Sequence, residues 1–298
     1  MPRHTPIGPR AGHSVIRLAA LGDLVEDVVA ELDGPVNIAS DTPARITRRR
    51  GGSAANTAIT AARLCGTSRF LGQVGDDAIG TALLDTMTAD GVDVTHVRRS
   101  GDTGTIVALV DHHGERSMLT DRRACVDLDR PDPGWLDDVD VLHVPLYSLA
   151  VEPVATTAAT VIGWAHDRGI PVSVDVSSTS VMAELGIARV RSLLEELQPS
   201  VLLANADEAA LLAIDGPLAG SITVVKRGPD PAVVYQPGRR PVEVPAVAVD
   251  EVPDTTGAGD AFAAGFLTDA GWQDDPESAV SSGHRAAARL LSSRTARR

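Results

Sequence analysis

Asp254–Leu267 (DTTGAGDAFAAGFL) sets small residues and one acidic side chain at the head of a run that reads as helix. Gly257, Ala258 and Gly259 would place free backbone N–H groups at a helix N-terminus, where amides and helix dipole both point at an anion. Glycine at 257 and 259 lets a ligand approach the backbone closely. Asp260 then falls in the first helical turn, within reach of whatever the anion hole holds. Taken singly, an acidic residue there is explained by the dipole alone. Beside an anion hole, the same carboxylate suits a base that takes a proton from an attacking hydroxyl. The chemistry this suggests is phosphoryl transfer to an alcohol.

Other residues fit the same chemistry, each with a plainer role open to it. Gly51-Gly52 with Asn56 one helical turn on is what close contact with a polyol needs, and it also suits a simple turn. Asn205 and Glu208, three apart, suit a nucleotide site or a capping box for a helix starting near Asp207. Lys226 is the only lysine in the chain, which marks either a site where Arg would not serve or a chance survivor at a solvated position. Arg116, Arg122 and Arg123 would meet an anionic substrate or discourage strand pairing at a solvated edge. Rival phosphate motifs are absent. The sole lysine follows Val225, not a P-loop glycine, and Phe262 occupies the third glycine position of a dinucleotide fingerprint. The chain has neither His-Arg-Asp nor Asp-Phe-Gly, and its eight histidines are scattered without zincin spacing.

The elements that must position these residues alternate. Ser14–Gly22 reads as a buried parallel strand ending at Asp23 and Asp27, and Ser53–Leu64 as a helix with Ser53 as its N-cap. Asp77–Ala89 reads as a helix, Val139–Val144 as a strand, Val154–Asp167 as a helix and Pro171–Val176 as a strand ending at Asp175. A helical stretch through Leu197 precedes the strand Val201–Ala204, the short helix Asp207–Ala213 and the strand Ser221–Lys226. Helices over Ala258–Ala270 and Pro276–Leu291 close the order, so a parallel sheet covered on both faces is expected. Val28–Arg50 and Thr105–Asp121 break the pattern with hairpin-like alternation, Ile106, Ala108 and Val110 sharing one face. They read as a small β lid over a cleft, against the plainer alternative of two surface hairpins.

The totals agree. At 298 residues and 43% hydrophobic the chain can bury a substantial core, and with 3% aromatics that core is aliphatic. A net charge of −13 argues against general nucleic-acid or membrane binding. Cys65 and Cys125 fit neither a disulfide framework nor a zinc site, and read as reduced thiols in a cytoplasmic protein. No apolar run approaches the roughly 18–20 residues that span a bilayer. The first dozen residues lack an apolar signal core and are expected to fray.

From about Val15 to Ser292 the chain resembles the PfkB (ribokinase-like) carbohydrate kinase family. Asp254–Leu267 resembles the family's C-terminal signature. Gly51–Ala58 (GGSAANTA) and Leu71–Gly80 (LGQVGDDAIG) are similar to its N-terminal region, Gly22-Asp23 with Asp27 to its first-strand element, and Asn205-Ala-Asp-Glu208 to its Asn-x-x-Glu motif. The resemblance implies a three-layer αβα sandwich with a mostly parallel sheet and a small β-sheet lid. Residues 14–27, 51–104 and 122–298 would form the core, and 28–50 and 105–121 the lid.

It further implies an ATP- and Mg²⁺-dependent kinase acting on a hydroxymethyl group of a small sugar, with Asp260 as base and Gly257, Ala258 and Gly259 steadying the transferring group. Asp23, Asp27, Gly51, Gly52 and Asn56 would hold the substrate. Asn205, Glu208, Lys226, Gly228 and His284 would hold the nucleotide, with Glu208 acting on magnesium indirectly; His284 also fits ordinary helix surface. Asp254 and Thr256 would hold a monovalent cation such as K⁺. Family members usually continue past Ser292 with a glycine-containing loop and one further element, so weakened K⁺ activation and relaxed nucleotide selectivity are expected here. Asp121-Arg122-Arg123-Ala124 lacks the glycine that many sugar-kinase members carry near this point. A homodimer through the lid is a further expectation. The alternatives are a nucleoside kinase on the same fold, a sugar-acid or sugar-phosphate kinase, and a non-catalytic sugar or nucleotide sensor.

Overall fold

The computed structural model describes residues 15–250 and 254–295. Its first elements are β1 Leu18–Leu21, β2 Val25–Leu32, β3 Ala44–Gly51, α1 Ser53–Cys65, β4 Ser68–Leu71, β5 Gln73–Val74 and α2 Ala78–Ala89. Then come β6 Val92–Asp93, β7 Arg98–Arg99, β8 Thr105–Val110, β9 Arg116–Asp121, β10 Val141–Pro145, α3 Val154–Asp167 and β11 Val172–Asp175. After these follow α4 Thr179–Leu185, α5 Ile187–Leu197, β12 Val201–Asn205, α6 Ala206–Leu211 and β13 Ile222–Arg227. The last are β14 Asp230–Tyr235, β15 Val242–Val244, α7 Ala258–Leu267 and α8 Pro276–Thr295.

The large sheet has the order β15-β14-β13-β12-β11-β10-β1-β4-β6. Strands β6 through β13 pair in parallel, and β14 and β15 add an antiparallel edge. Successive residues of a strand face opposite sides, so each strand feeds two cores. Leu18 and Ala20 of β1 pack with α1, α7 and α8, whereas Ala19 and Leu21 pack with α3 and α5. Burial on both faces explains the unbroken apolar runs of the sequence. The result is the expected αβα sandwich.

From β1 the chain steps to β4 and β6 on one side, then returns to β10 on the other. The strand order therefore reverses between β1 and β10, and the crevice beyond the carboxyl ends at such a reversal is where sheets of this kind hold ligands. Asp23, Asp175, Asn205 and Lys226 all lie at or just past those ends.

A second sheet, order β3-β2-β8-β9, stands apart from the first. Its central strands β2 and β8 are parallel and its two edges are antiparallel. Only Val29, Ala30 and Ala108 supply it with buried apolar surface beyond its base, while Ile46, Met118 and Leu119 are exposed. Asp77, the N-cap of α2, fastens the entry to β8: its carboxylate accepts from Gly80 N–H, Thr103 N–H and the Thr103 hydroxyl.

Several expectations are adjusted. Ser53 is not an N-cap; Gly52 precedes the helix and Ser53 is its first residue, its hydroxyl spent elsewhere. The stretch before Leu197 is two helices, broken at Gly186, which has φ 84°. The β2 and β3 strands reach inward to Val25 and Gly51, so Asp27 and Gly51 lie within the small sheet. Ser14, the first dozen residues and the last three fall outside the described residues. Among the described residues no helix is long and apolar enough to cross a membrane.

Candidate active site

Asp260 lies in the first turn of α7. Its Oδ1 accepts from the Ser53 hydroxyl at 2.6 Å and its Oδ2 from Asn56 Nδ2 at 2.7 Å. Both donors sit on the first turn of α1, which Gly52 aims at α7. Gly52 has φ 101°, and a Cβ there would lie 2.1 Å from the Asp23 carbonyl oxygen, so only glycine fits. Asn56 is itself oriented, because Arg50 Nη1 donates to its Oδ1 at 2.7 Å. Asp260 is half-buried, with a donor on each carboxylate oxygen. Burial pushes it up to about 6, with Asp175 adding to the rise and Ser53, Asn56 and Lys226 opposing it.

The amides before Asp260 are partly as expected. Gly257 caps α7 in the left-handed region, φ 77°. Ala258 N–H is spent on the Thr255 carbonyl at 3.1 Å, which corrects its place in the anion hole. Among the described residues no acceptor meets the Gly257, Gly259 and Asp260 amides. A methyl group placed on Gly259 would come to 3.4 Å from Lys226 Nζ, so the sole lysine of the chain borders this amide nest. Amides, ammonium and carboxylate thus meet at one point.

Lys226 Nζ is 2.6 Å from Asp175 Oδ2, with only 13% and 10% of the two side chains exposed. Burial alone would lower the ammonium; Asp175, Glu208 and Asp260 overcome it and hold the pKa above the ordinary lysine value. Ser177, with φ 64°, donates its N–H to the other Asp175 oxygen at 2.8 Å. Asn205 and Glu208 do form the capping box of α6: Glu208 N–H donates to Asn205 Oδ1, and Asn205 N–H to Glu208 Oε2. Burial, then Asp175, push Glu208 up to about 7. Asp175 and Glu208 are thus two carboxylates beside one ammonium, each oxygen already accepting from Lys226, Ser177 or Asn205. Among the described residues no cluster of three or more His, Cys, Asp or Glu that could hold a metal ion is formed. Gly228 sits in the β13–β14 turn at φ 60° with open space around it. His284 is buried, edge-on to Phe262 at 5.2 Å, with burial lowering its pKa; it is core of the α7–α8 packing and not helix surface.

Where the small sheet meets α1, Gly51 gives way to Asp27, whose Oδ1 would lie 2.1 Å from a Cβ at position 51. Burial raises Asp27, against the pull of Arg49 and Arg50. Asp23 is held in a bidentate pair by Arg122, Nε–Oδ2 2.7 Å and Nη2–Oδ1 2.8 Å. Arg122 also donates to the Tyr147 carbonyl and lies 5.9 Å from that ring's centroid. Asp254 does not present itself to a cation. Arg49 Nη1 donates to its Oδ2 at 3.1 Å, Arg116 Nη2 lies 3.0 Å from its Oδ1, and Thr256 N–H donates to Oδ1 as well. The Thr256 hydroxyl accepts from Arg116 Nη1 at 2.6 Å. With two guanidinium groups on the carboxylate, these residues do not fit K⁺.

The structure thus brings together Asp260, Gly257, Gly259, Asn56, Lys226, Asn205 and Glu208, with Asp23, Asp27 and Gly51 beside them. Sequence reasoning passed over Ser53, Arg49, Arg50 and Tyr147 as site residues, and noted Asp175 only as a strand end. The pairing of Asp175 with Lys226 had a legible trace, since each ends a predicted strand.

Residues 16–298 match the model of the pfkB family carbohydrate kinases. The fructokinase of Escherichia coli is 31% identical over 265 residues, covering 83% of this chain and 82% of that protein. The ATP-dependent ribose-1-phosphate kinase of Halopiger xanaduensis is 34% identical over 272 residues, covering 88% and 86%. The ATP-bound fructokinase structure from Xylella fastidiosa superposes with a TM-score of 0.76 at 25% identity, covering 93% of this chain and 92% of that one.

Proposed function

This chain belongs to the pfkB family of carbohydrate kinases, an ATP-dependent phosphotransferase with an alcohol as acceptor, and we propose that it phosphorylates a hydroxymethyl group of a small sugar-like molecule with Asp260 as base. The observation that carries this reading is the meeting of the Asp260 carboxylate, the Gly257 and Gly259 amides and the Lys226 ammonium above the switch point. Fructokinases and ribokinases among the relatives make a sugar the natural acceptor.

In the proposed reaction the acceptor lies between the large sheet and the small one, near Asp27, Gly51 and Asn56. ATP lies over the ends of β12 and β13, near Asn205, Lys226 and Gly228. The acceptor oxygen forms a bond to the γ-phosphorus, the bond from that phosphorus to the β,γ-bridging oxygen breaks, and ADP leaves with the electron pair. The hydroxyl proton passes to Asp260, which Ser53 and Asn56 hold in place. The amide nest and Lys226 face the phosphoryl oxygens, where fixed donors act most strongly once water is excluded. Glu208 and Asp175 are the carboxylates near which magnesium would be held, and the ion would supply neutralisation of the triphosphate charge. The small sheet serves as the lid that excludes water, and its free edges β3 and β9, with Ile46, Met118 and Leu119 exposed, are where two copies would pair.

A nucleoside acceptor would want a free aromatic face. Tyr147, whose backbone carbonyl accepts from the Arg122 that pairs with Asp23, already has that guanidinium beside its ring. ADP release measured against a panel of neutral sugars, sugar acids, sugar phosphates and nucleosides tests the proposal. Sugar-stimulated turnover supports it, and ATP binding without turnover on any acceptor would make the protein a sensor.

A further inference from the structure

This inference rests on the kinase reading and concerns which acceptor the cleft takes. We propose that the acceptor carries an anionic group, a phosphate or a carboxylate, remote from the reacting hydroxyl, and that Arg49 and Arg116 bind it beneath the small sheet.

Arg49 projects from β3 and Arg116 from β9, the two opposite edges of the small sheet, yet both reach the single carboxylate of Asp254, at 3.1 and 3.0 Å. Among the described residues, these two cations share one anion within hydrogen-bond distance. The next carboxylate, Asp27, lies 3.8 Å from Arg49 Nε, an ion pair beyond hydrogen-bond distance, and burial raises its pKa. Compare Arg122, whose charge is met by Asp23 in a two-point pair. At Asp254 two guanidinium groups thus stand over one carboxylate, an arrangement that a second anion would balance.

The location decides what that anion belongs to. Asp254 and Thr256 lead into Gly257, and Asp27 faces Gly51, so the two guanidinium groups stand on the acceptor side of Asp260. The phosphate side is served separately by Lys226 against Gly259. Both arginine side chains keep about a third of their surface accessible, 36% for Arg49 and 34% for Arg116, so an incoming ligand can reach them. Each guanidinium has five N–H donors in a planar fork. The bonds named here use one from Arg49 and two from Arg116, which leaves donors to turn toward an oxyanion. In a chain of net charge −13 an anionic acceptor would be repelled at long range, and a local pair of arginines under low-dielectric walls reverses that field at the site. The transfer itself is unchanged: the hydroxyl oxygen takes the γ-phosphoryl group, its proton goes to Asp260 and ADP leaves. The product then carries two anionic groups, so the reaction that supplies the acceptor must leave a sugar already phosphorylated or oxidised to an acid.

The test is calorimetric binding of matched pairs to the whole chain loaded with a non-hydrolysable ATP analogue and magnesium. The probes are ribose with ribose 1-phosphate, fructose with fructose 1-phosphate, and ribonate as the carboxylate arm. The anionic member should bind at least about tenfold tighter, the scale of one charge-assisted hydrogen bond. Arg49→Gln combined with Arg116→Gln should bring that ratio to about one while the ATP analogue still binds. Asp254→Asn, which releases both guanidinium groups, should tighten the anionic member and raise affinity for inorganic phosphate. Equal binding of neutral and anionic partners by the unaltered chain would overturn the proposal. So would a preference that survives the double substitution, or a double variant that loses the nucleotide instead. If the double variant does not fold, Asp254→Asn decides: no gain for anions overturns the proposal. Because binding is read directly, an absence of turnover on every acceptor would defeat the kinase reading alone.

Discussion

Asn56 on α1 donates its side-chain N–H to Asp260 Oδ2 on α7 at 2.7 Å, across 204 positions of sequence. The orientation of that amide has one solution, since Arg50 donates to its carbonyl oxygen on the other side. An arginine of β3, an amide on α1 and a carboxylate on α7 thus form one chain of bonds.

Asn56→Ala removes the middle of that chain. A hydrogen bond to a charged group is worth about 1.5–3 kcal/mol, so kcat should fall about 10–100-fold if the bond steadies Asp260 during transfer. The KM for ATP should not move. Steady-state kinetics on the best acceptor check this, and unchanged kcat would leave Asn56 a packing residue.

Lys226→Met strands Asp175 in a buried position without its partner, their side chains being 13% and 10% exposed. Losing one member of a buried pair costs about 3–5 kcal/mol, which urea denaturation would show. The KM for ATP should rise with it. A variant of normal stability and nucleotide affinity would return Lys226 to the role of a chance survivor.

Asp260 is held at about 6, above the ordinary aspartate value, mainly by burial. The group works as a base only when deprotonated, so kcat/KM should rise with pH through about 6 and then level off. Stability has the opposite sense. A carboxyl with a raised folded-state pKa favours the folded state fully below its unfolded value, and that advantage is lost as pH rises through about 6. Asp260→Asn removes the burden, and its amide can still accept from Asn56 and donate to Ser53 Oγ. Its melting temperature should therefore exceed that of the unaltered chain above pH 6 and converge with it in acid. A gap that widens in acid would contradict the assignment.

Asp254 is engaged by Arg49, Arg116 and its own turn. Turnover should be the same in K⁺ and Na⁺ buffers at matched ionic strength. Activation by K⁺ would show that a cation displaces the guanidinium groups.

How much of this was legible in the residues depended on distance along the chain. Asp260 with its glycines, the capping box of Asn205 and Glu208, and the pairing of Gly51-Gly52 with Asn56 are local patterns, and the structure sets them where local rules put them. The alternating strands were legible because burial on both faces demands unbroken apolar runs such as Leu18–Leu21. Ser53 was misread because a serine at a helix start is an N-cap by propensity, and only the approach of α7 gives its hydroxyl a better partner. The convergence of Arg49 and Arg116 on Asp254 left no trace at all, since it joins segments 205 and 138 residues apart through the pairing of the small sheet. His284 was placed on the right helix, but its burial against Phe262 follows from close α7–α8 packing, where a Cβ on Gly265 would meet Ala286 Cβ at 2.6 Å.

The most direct test of the base is ADP release by Asp260→Asn in the presence of saturating acceptor, with binding of the ATP analogue measured on the same sample. The account predicts retained nucleotide binding and a loss of transfer of about 10²–10⁴-fold. Turnover near that of the unaltered chain would show that Asp260 is not the base.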